Sequence, residues 1–228
     1  MSPTNLLPEL AGNLAARRAF LSGRRTRGRL NARLETDTQD TLLTWAARHG
    51  QAEGVRLLLE AGASVGATDG GGAPALLLAC DKECLECARL LLEANAAVNQ
   101  ASDDGATPLF IACQKGHLEC ARLLLEANAA IDQASDDGAT PLFIACQNGH
   151  VECARLLLKA SAAVDQADTR GTTPLFIVCA RGYAECARLL LAAGAPVHRP
   201  PASATRPCAA RRLGQLECAR LLLEAGAA

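Results

Sequence analysis

Cys113-x3-His117-x2-Cys120 and Cys146-x3-His150-x2-Cys153 place thiol, imidazole and thiol at a spacing that zinc could use, and Cys80-x3-Cys84-x2-Cys87 matches with Cys for His. Zinc needs its ligands to converge tetrahedrally at about 2.0 to 2.3 Å. Here the imidazole falls at a turn between two apolar segments and the cysteines stand at small apolar positions, so buried structural thiols are the better reading. Cys84, beside a turn, is the expected accessible thiol. Gly70-Gly71-Gly72 has no Lys-Ser/Thr after it and opens no Rossmann-type unit, so it is not a phosphate cradle. His49, His117, His150 and His198 accompany no nucleophile arranged by a third group. No catalytic, cofactor or metal site is assigned, and the chain is not expected to be an enzyme.

Other residues suit binding. Asp103-Asp104 and Asp136-Asp137 occupy the same two places in successive copies of one sequence unit. Units stacked about 10 Å apart would make of them a short anionic ridge, with spacing near one Debye length in physiological salt. A basic peptide fits such a ridge. Turn chemistry accounts for Asp104 and Asp137 beside their glycines, and less well for Asp103 and Asp136. The next unit has Thr169 and Arg170 there, so the ridge ends.

The elements that must position these residues follow from the repetition. Ala101 to Gln133 and Ala134 to Gln166 are 33-residue segments that differ at five positions, and a fixed period of this length is the signature of a solenoid. Within a unit, Asp104-Gly105 predicts a hairpin-like finger tip. Thr107 can cap a helix whose first position Pro108 occupies without losing a needed N–H. That helix A should run to Gly116, and an apolar helix B should start near Leu118. Asn128 should end helix B in the left-handed conformation.

The residues Gly105-Ala106-Thr107-Pro108-Leu109, Ala112, Gly116-His117-Leu118-Glu119, Leu123-Leu124, Ala129 and Asp132 resemble the ankyrin repeat, and the same register recurs at Thr140-Pro141-Leu142 and Thr173-Pro174-Leu175. The resemblance implies an all-α ankyrin-repeat solenoid, each repeat a β-finger plus an antiparallel helix pair. It also implies partner binding by finger tips and the exposed end of helix A. The matching positions are Asp103, Asp104, Gln114 and Lys115, then Asp136, Asp137, Gln147 and Asn148, then Thr169, Arg170 and Arg181, forming a polar concave strip. His at the interhelical turn is implied to brace backbone. Phe110, Phe143 and Phe176 replace a position that is often His in the family, and packing between neighbouring helices is their expected role.

Domain organisation follows the period. Residues 1–36 form an Arg-rich segment, read as a degenerate cap with a helix near Leu6 to Leu21; Arg17, Arg18, Arg24, Arg25, Arg27, Arg29 and Arg33 cluster around its end. Residues 37–228 form the repeat domain, with units at about 37–67, 68–100, 101–133, 134–166, 167–198 and 199–228. The second unit is irregular: Gly70-Gly71-Gly72 should loosen its finger, Pro74 replaces Thr, and Glu83 replaces the interhelical Gly. The sixth has lost one residue between His198 and Thr205, with helix A expected over Cys208 to Arg212.

A formal net charge of −1 provides no global field for nucleic acid or membrane. Eleven cysteines without a secretory signal or an 18-residue apolar run favour free thiols in a reducing, cytoplasmic setting. The expected molecule is a monomeric intracellular scaffold or adaptor, without cofactors, holding a protein or a basic peptide. The alternative is a nuclear or nucleic-acid-associated factor that uses the arginine cluster. Missing stacking aromatics argue against sequence-specific nucleic-acid recognition.

Overall fold

The computed structural model describes residues 30–34, 37–197 and 216–226. The expected cap helix, all of the arginine cluster but Arg33, and helix A of the sixth repeat lie outside them. Among the described residues eleven helices follow one another: α1 (Leu42–Arg48), α2 (Ala52–Glu60), α3 (Ala75–Asp81), α4 (Leu85–Glu93), α5 (Pro108–Lys115), α6 (Leu118–Glu126), α7 (Pro141–Asn148), α8 (Val151–Lys159), α9 (Pro174–Arg181), α10 (Ala184–Ala192) and α11 (Leu216–Glu224). They alternate as helix A and helix B, so the fold is an all-α solenoid.

Left-handed backbone sets the period. Positive φ recurs every 33 residues in three series: Gln39, Gly72, Gly105, Gly138, Gly171 in the fingers; Gly50, Glu83, Gly116, Gly149, Gly182 between helices; Gly62, Asn95, Asn128, Ser161, Gly194 after helix B. After α11 the corresponding residue is Gly226, 32 residues beyond Gly194, in keeping with the one-residue deletion read from the sequence.

Local determinants of one regular hairpin show how the chain makes this shape. Thr140 Oγ1 accepts from Phe143 N at 3.1 Å and Pro141 fills the first helical position. Six consecutive residues, Pro141 to Cys146, are buried, as a helix apolar on every side must be. Gly149, at φ 74°, stops α7 and donates to Cys146 O at 3.1 Å. α8 is instead a stripe: Cys153, Ala154 and Leu157 are buried while Glu152 and Lys159 face solvent. Ser161 N bonds Leu158 O at 3.1 Å and Ala162 N bonds Leu157 O at 3.0 Å, closing the helix end.

Two compact units divide the chain: residues 1–108 with 126–129, and residues 109–125 with 130–228. In the first, α1 packs on α2 and α3, α3 on α4, and α2 on α4. Its fully buried leucines include Leu42, Leu43, Leu58, Leu76 and Leu91. In the second, α7 packs on α8 and α9, α9 on α10, and α10 on α8 and α11. Phe143, Leu109, Leu124, Leu142, Leu157 and Leu190 fill that core, each large side chain contributing roughly 1.5 to 3 kcal/mol by leaving water. Phe110 and Phe143 are buried, in line with their expected packing role, and Phe176 is half-buried.

The fingers are tight hairpins. Ser102 N donates to Ala106 O at 3.0 Å and Gly105 N to Ser102 O at 2.9 Å, with Gly105 at φ 77°. This is a three-residue loop whose glycine forms the bulge, so only Gly105 and not Asp104 turns left-handed. The second finger is closed in the same way. Asp69 N donates to Ala73 O at 3.0 Å, and Asp69 Oδ1 accepts from Gly71 N and Ala73 N, both at 2.9 Å. The expectation that three glycines loosen it therefore fails, because the buried Asp69 carboxylate caps the loop.

Candidate functional site

The finger tips and helix A ends carry the polar residues singled out in the sequence. In the second unit Asp136, Asp137, Thr169 and Arg170 sit at two finger tips, and all four are exposed. Thr169 N donates to Asp137 O at 2.9 Å, fastening one tip to the next. A Cβ on Gly138 would lie 2.8 Å from Thr169 N, so only glycine permits this approach. Below the tips, Lys115, Asn148 and Arg181 are exposed at the ends of α5, α7 and α9, while Gln114 and Gln147 are half-buried.

Hydrogen bonds determine which of these groups remain available. Asn148 Nδ2 donates to Gln114 O at 2.9 Å, and His150 Nε2 lies 3.0 Å from the same oxygen, donating to it when that nitrogen carries the proton. His150 thus braces backbone, the role implied for it. Arg170 is tethered through Nε at 3.2 Å and Nη2 at 3.1 Å to Asp168 Oδ2, while Asp168 Oδ1 accepts from Arg170 N at 3.0 Å and Thr172 N at 2.8 Å. Burial by itself would raise the Asp168 carboxyl; the bonds from Thr172 and Arg170, with the guanidinium charge, outweigh it and hold the group below its ordinary range. Asp136 and Asp137 have no side-chain hydrogen bond or ion pair with the described residues. Their carboxylates are open to a ligand.

In the first unit the equivalent pair is less free. Asp104 Oδ1 accepts from Ser102 Oγ and, at 3.4 Å, from Ala106 N. Asp103 N donates to Gly71 O at 3.0 Å, and its carboxylate lies over the bare α-carbon of Gly72, where a Cβ would meet Asp103 Oδ1 at 2.1 Å. The sequence treats the two Asp pairs as equivalent; the structure leaves Asp137 open and ties Asp104 to its own turn.

One charged cluster escaped the sequence reading. Arg48, at the end of α1, bonds Asp40 through Nε at 3.1 Å and Nη2 at 3.3 Å, and its Nη2 also reaches Asp69. Asp40 is 1 % exposed and Asp69 7 %. Arg48 stands where Gln114 and Gln147 stand in later repeats, and that exchange of charge for amide was the available signal. Desolvation alone would lower the Arg48 pKa; its bonds to the two carboxylates and their charge raise it instead.

The thiols are mostly interior. None of the ten described cysteines is in a disulfide; nine are buried, and Cys84 is half-exposed. Cys113 is held well above the ordinary thiol range by its bond with Cys153 and by burial, and Cys146 likewise by Cys186 and burial. Burial, with Cys218 alongside, pushes Cys179 up to about 12. Among the described residues no group of three or more His, Cys, Asp or Glu is placed to hold a metal ion. None of the described helices is long and apolar enough to cross a membrane.

Successive helical hairpins with closed fingers define a helical repeat protein. The profile of ankyrin repeats matches residues 43–135, 76–168 and 127–201, and the chain belongs to the ankyrin repeat family. Repeats of this family are in general non-enzymatic protein–protein interaction modules. No curated protein matches the chain.

Proposed function

We propose that this chain is an intracellular, monomeric scaffold or adaptor that holds a protein or peptide of basic character against its finger tips and helix A ends. The observation that carries the reading is the pair of open carboxylates at Asp136 and Asp137, mounted on a tip whose backbone is already fastened to its neighbour. A preformed ledge loses little entropy when a ligand settles on it. Gln114, Lys115, Gln147, Asn148, Thr169, Arg170 and Arg181, at the tips and helix A ends, would add the polar contacts that set register. Asp103 and Asp104 offer a second, weaker anionic tip in the first unit, weaker because Asp104 is engaged with its own turn.

The test compares proteins captured by the intact chain, by Asp136→Lys/Asp137→Lys, and by a chain lacking residues 1–35. The reading expects captured partners to be retained by the truncated chain and weakened at least about tenfold by the charge reversal at low ionic strength. Equal capture by the reversed variant overturns the acidic ledge. Loss of partners on truncation would instead favour a role for the arginine cluster.

A further inference from the structure

Cys84-Leu85-Glu86-Cys87 is the one Cys-x-x-Cys spacing in the chain. Cys84 is the N-cap residue of α4 and Cys87 its third residue, so both side chains lie over the first turn on the same face. Their sulfurs are 3.0 Å apart. Other repeats carry His117, His150 or Tyr183 where Cys84 stands, so this thiol pair is a local departure from the pattern.

We propose that Cys84 and Cys87 are a redox-active dithiol that closes reversibly to a disulfide by exchange with a small-molecule disulfide of the glutathione class. The division of labour follows from exposure. Cys84 is half-exposed at the N-cap of α4, so it is the thiol of the pair that an incoming disulfide reaches first. Cys87 is buried, and burial first, then the bond to Cys84, pushes its thiol up, so it is the thiol that acts second.

In the first step the Cys84 thiolate attacks one sulfur of RS–SR; a Cys84–S–SR bond forms, the RS–SR bond breaks, and RS⁻ leaves. In the second, Cys87 gives its proton to solvent and its sulfur attacks Cys84 Sγ, expelling the second RS⁻. The protein loses two electrons and two protons, and the small disulfide becomes two thiols. Closure to about 2.05 Å requires the sulfurs to approach by about 1 Å, a shift that rotation about the Cα–Cβ bonds of the two cysteines can supply while the Cys84 backbone keeps its bonds to Ala79 O and Ala88 N. In the open form Cys84 Sγ–H points to Gly50 O at 3.6 Å, joining the turns before α2 and α4. A disulfide sulfur has no proton, so oxidation removes that joint.

The proposal does not depend on the partner-binding reading. The test incubates the full chain in glutathione buffers of rising oxidised fraction, blocks remaining thiols by alkylation, and locates modified cysteines by peptide mass. Loss of two hydrogens on the peptide holding Cys84 and Cys87, while the buried cysteines stay alkylatable after denaturation, is the expected result. Cys87→Ser should stall with glutathione on Cys84, at a level at least about tenfold above wild type. The idea is overturned if wild-type Cys84 keeps a stable glutathione adduct, if the first disulfide forms elsewhere, or if both residues remain thiols in fully oxidised buffer. The wild-type result decides, so poor folding of the variant cannot rescue it.

Discussion

The repeat at 68–100 and the repeat at 134–166 reach the same hairpin by different chemistry. The later one uses Thr140 as cap, Gly149 as left-handed corner and His150 as brace. In the earlier one, Pro74 caps α3 with no side-chain bond, Glu83 is forced to φ 56° at the corner, and Cys84 replaces the brace. Compensation comes from charge: Asp69 closes the finger and joins Arg48 and Asp40 beneath it. A period can thus be kept when its usual residues are lost, provided that other side chains satisfy the same backbone groups.

The comparison breaks most decisively at Arg48. Arg48→Ala takes the guanidinium away from the buried Asp40 and Asp69, and urea unfolding should register a loss of about 3 to 5 kcal/mol. A loss below about 1 kcal/mol would show that the irregular repeat does not lean on this cluster. Smaller and opposite effects are expected at the shared corner. Gly149→Ala should cost about 1 to 2 kcal/mol, because the left-handed backbone disfavours a Cβ and this Cβ would lie 3.0 Å from the Tyr183 ring. Glu83→Gly should gain roughly 0.5 to 1 kcal/mol by removing the same strain. Two changes of like sign in thermal melts would refute the equivalence of the two corners.

The periodic parts of the fold were legible because each is encoded within a few residues. Pro108 and Leu118 begin their helices as the sequence indicates, and Asn128 ends α6 at φ 62°. The second finger was misread because its glycines are visible in sequence, whereas the carboxylate that closes it acts only once the turn has brought Gly71 and Ala73 round to Asp69. For the same reason the candidate surface could be identified by position, while the difference between an engaged Asp104 and an open Asp137 could not. Arg48 lies 21 residues from Asp69, and no local pattern joins them.

The finest separation of the two finger chemistries is by pH. Folding holds the Asp168 carboxyl below its unfolded value of about 3.9. Its contribution is therefore complete above about pH 4 and disappears as pH falls through the folded value. The difference in urea midpoint between wild type and Asp168→Asn should stay level from pH 8 to pH 5 and shrink below pH 4; a gap that widens in acid would contradict the assignment.

Among the described residues the backbone bonds between neighbouring tips run one way. Gly70 N donates to Thr38 O at 2.8 Å, Asp103 N to Gly71 O at 3.0 Å, and Thr169 N to Asp137 O at 2.9 Å, each from a later repeat to the one before. Severing the chain between two such repeats would create unlike ends, an amide awaiting an acceptor on one fragment and a carbonyl awaiting a donor on the other. Such pieces can meet only head to tail, since two like ends would set amide against amide or carbonyl against carbonyl.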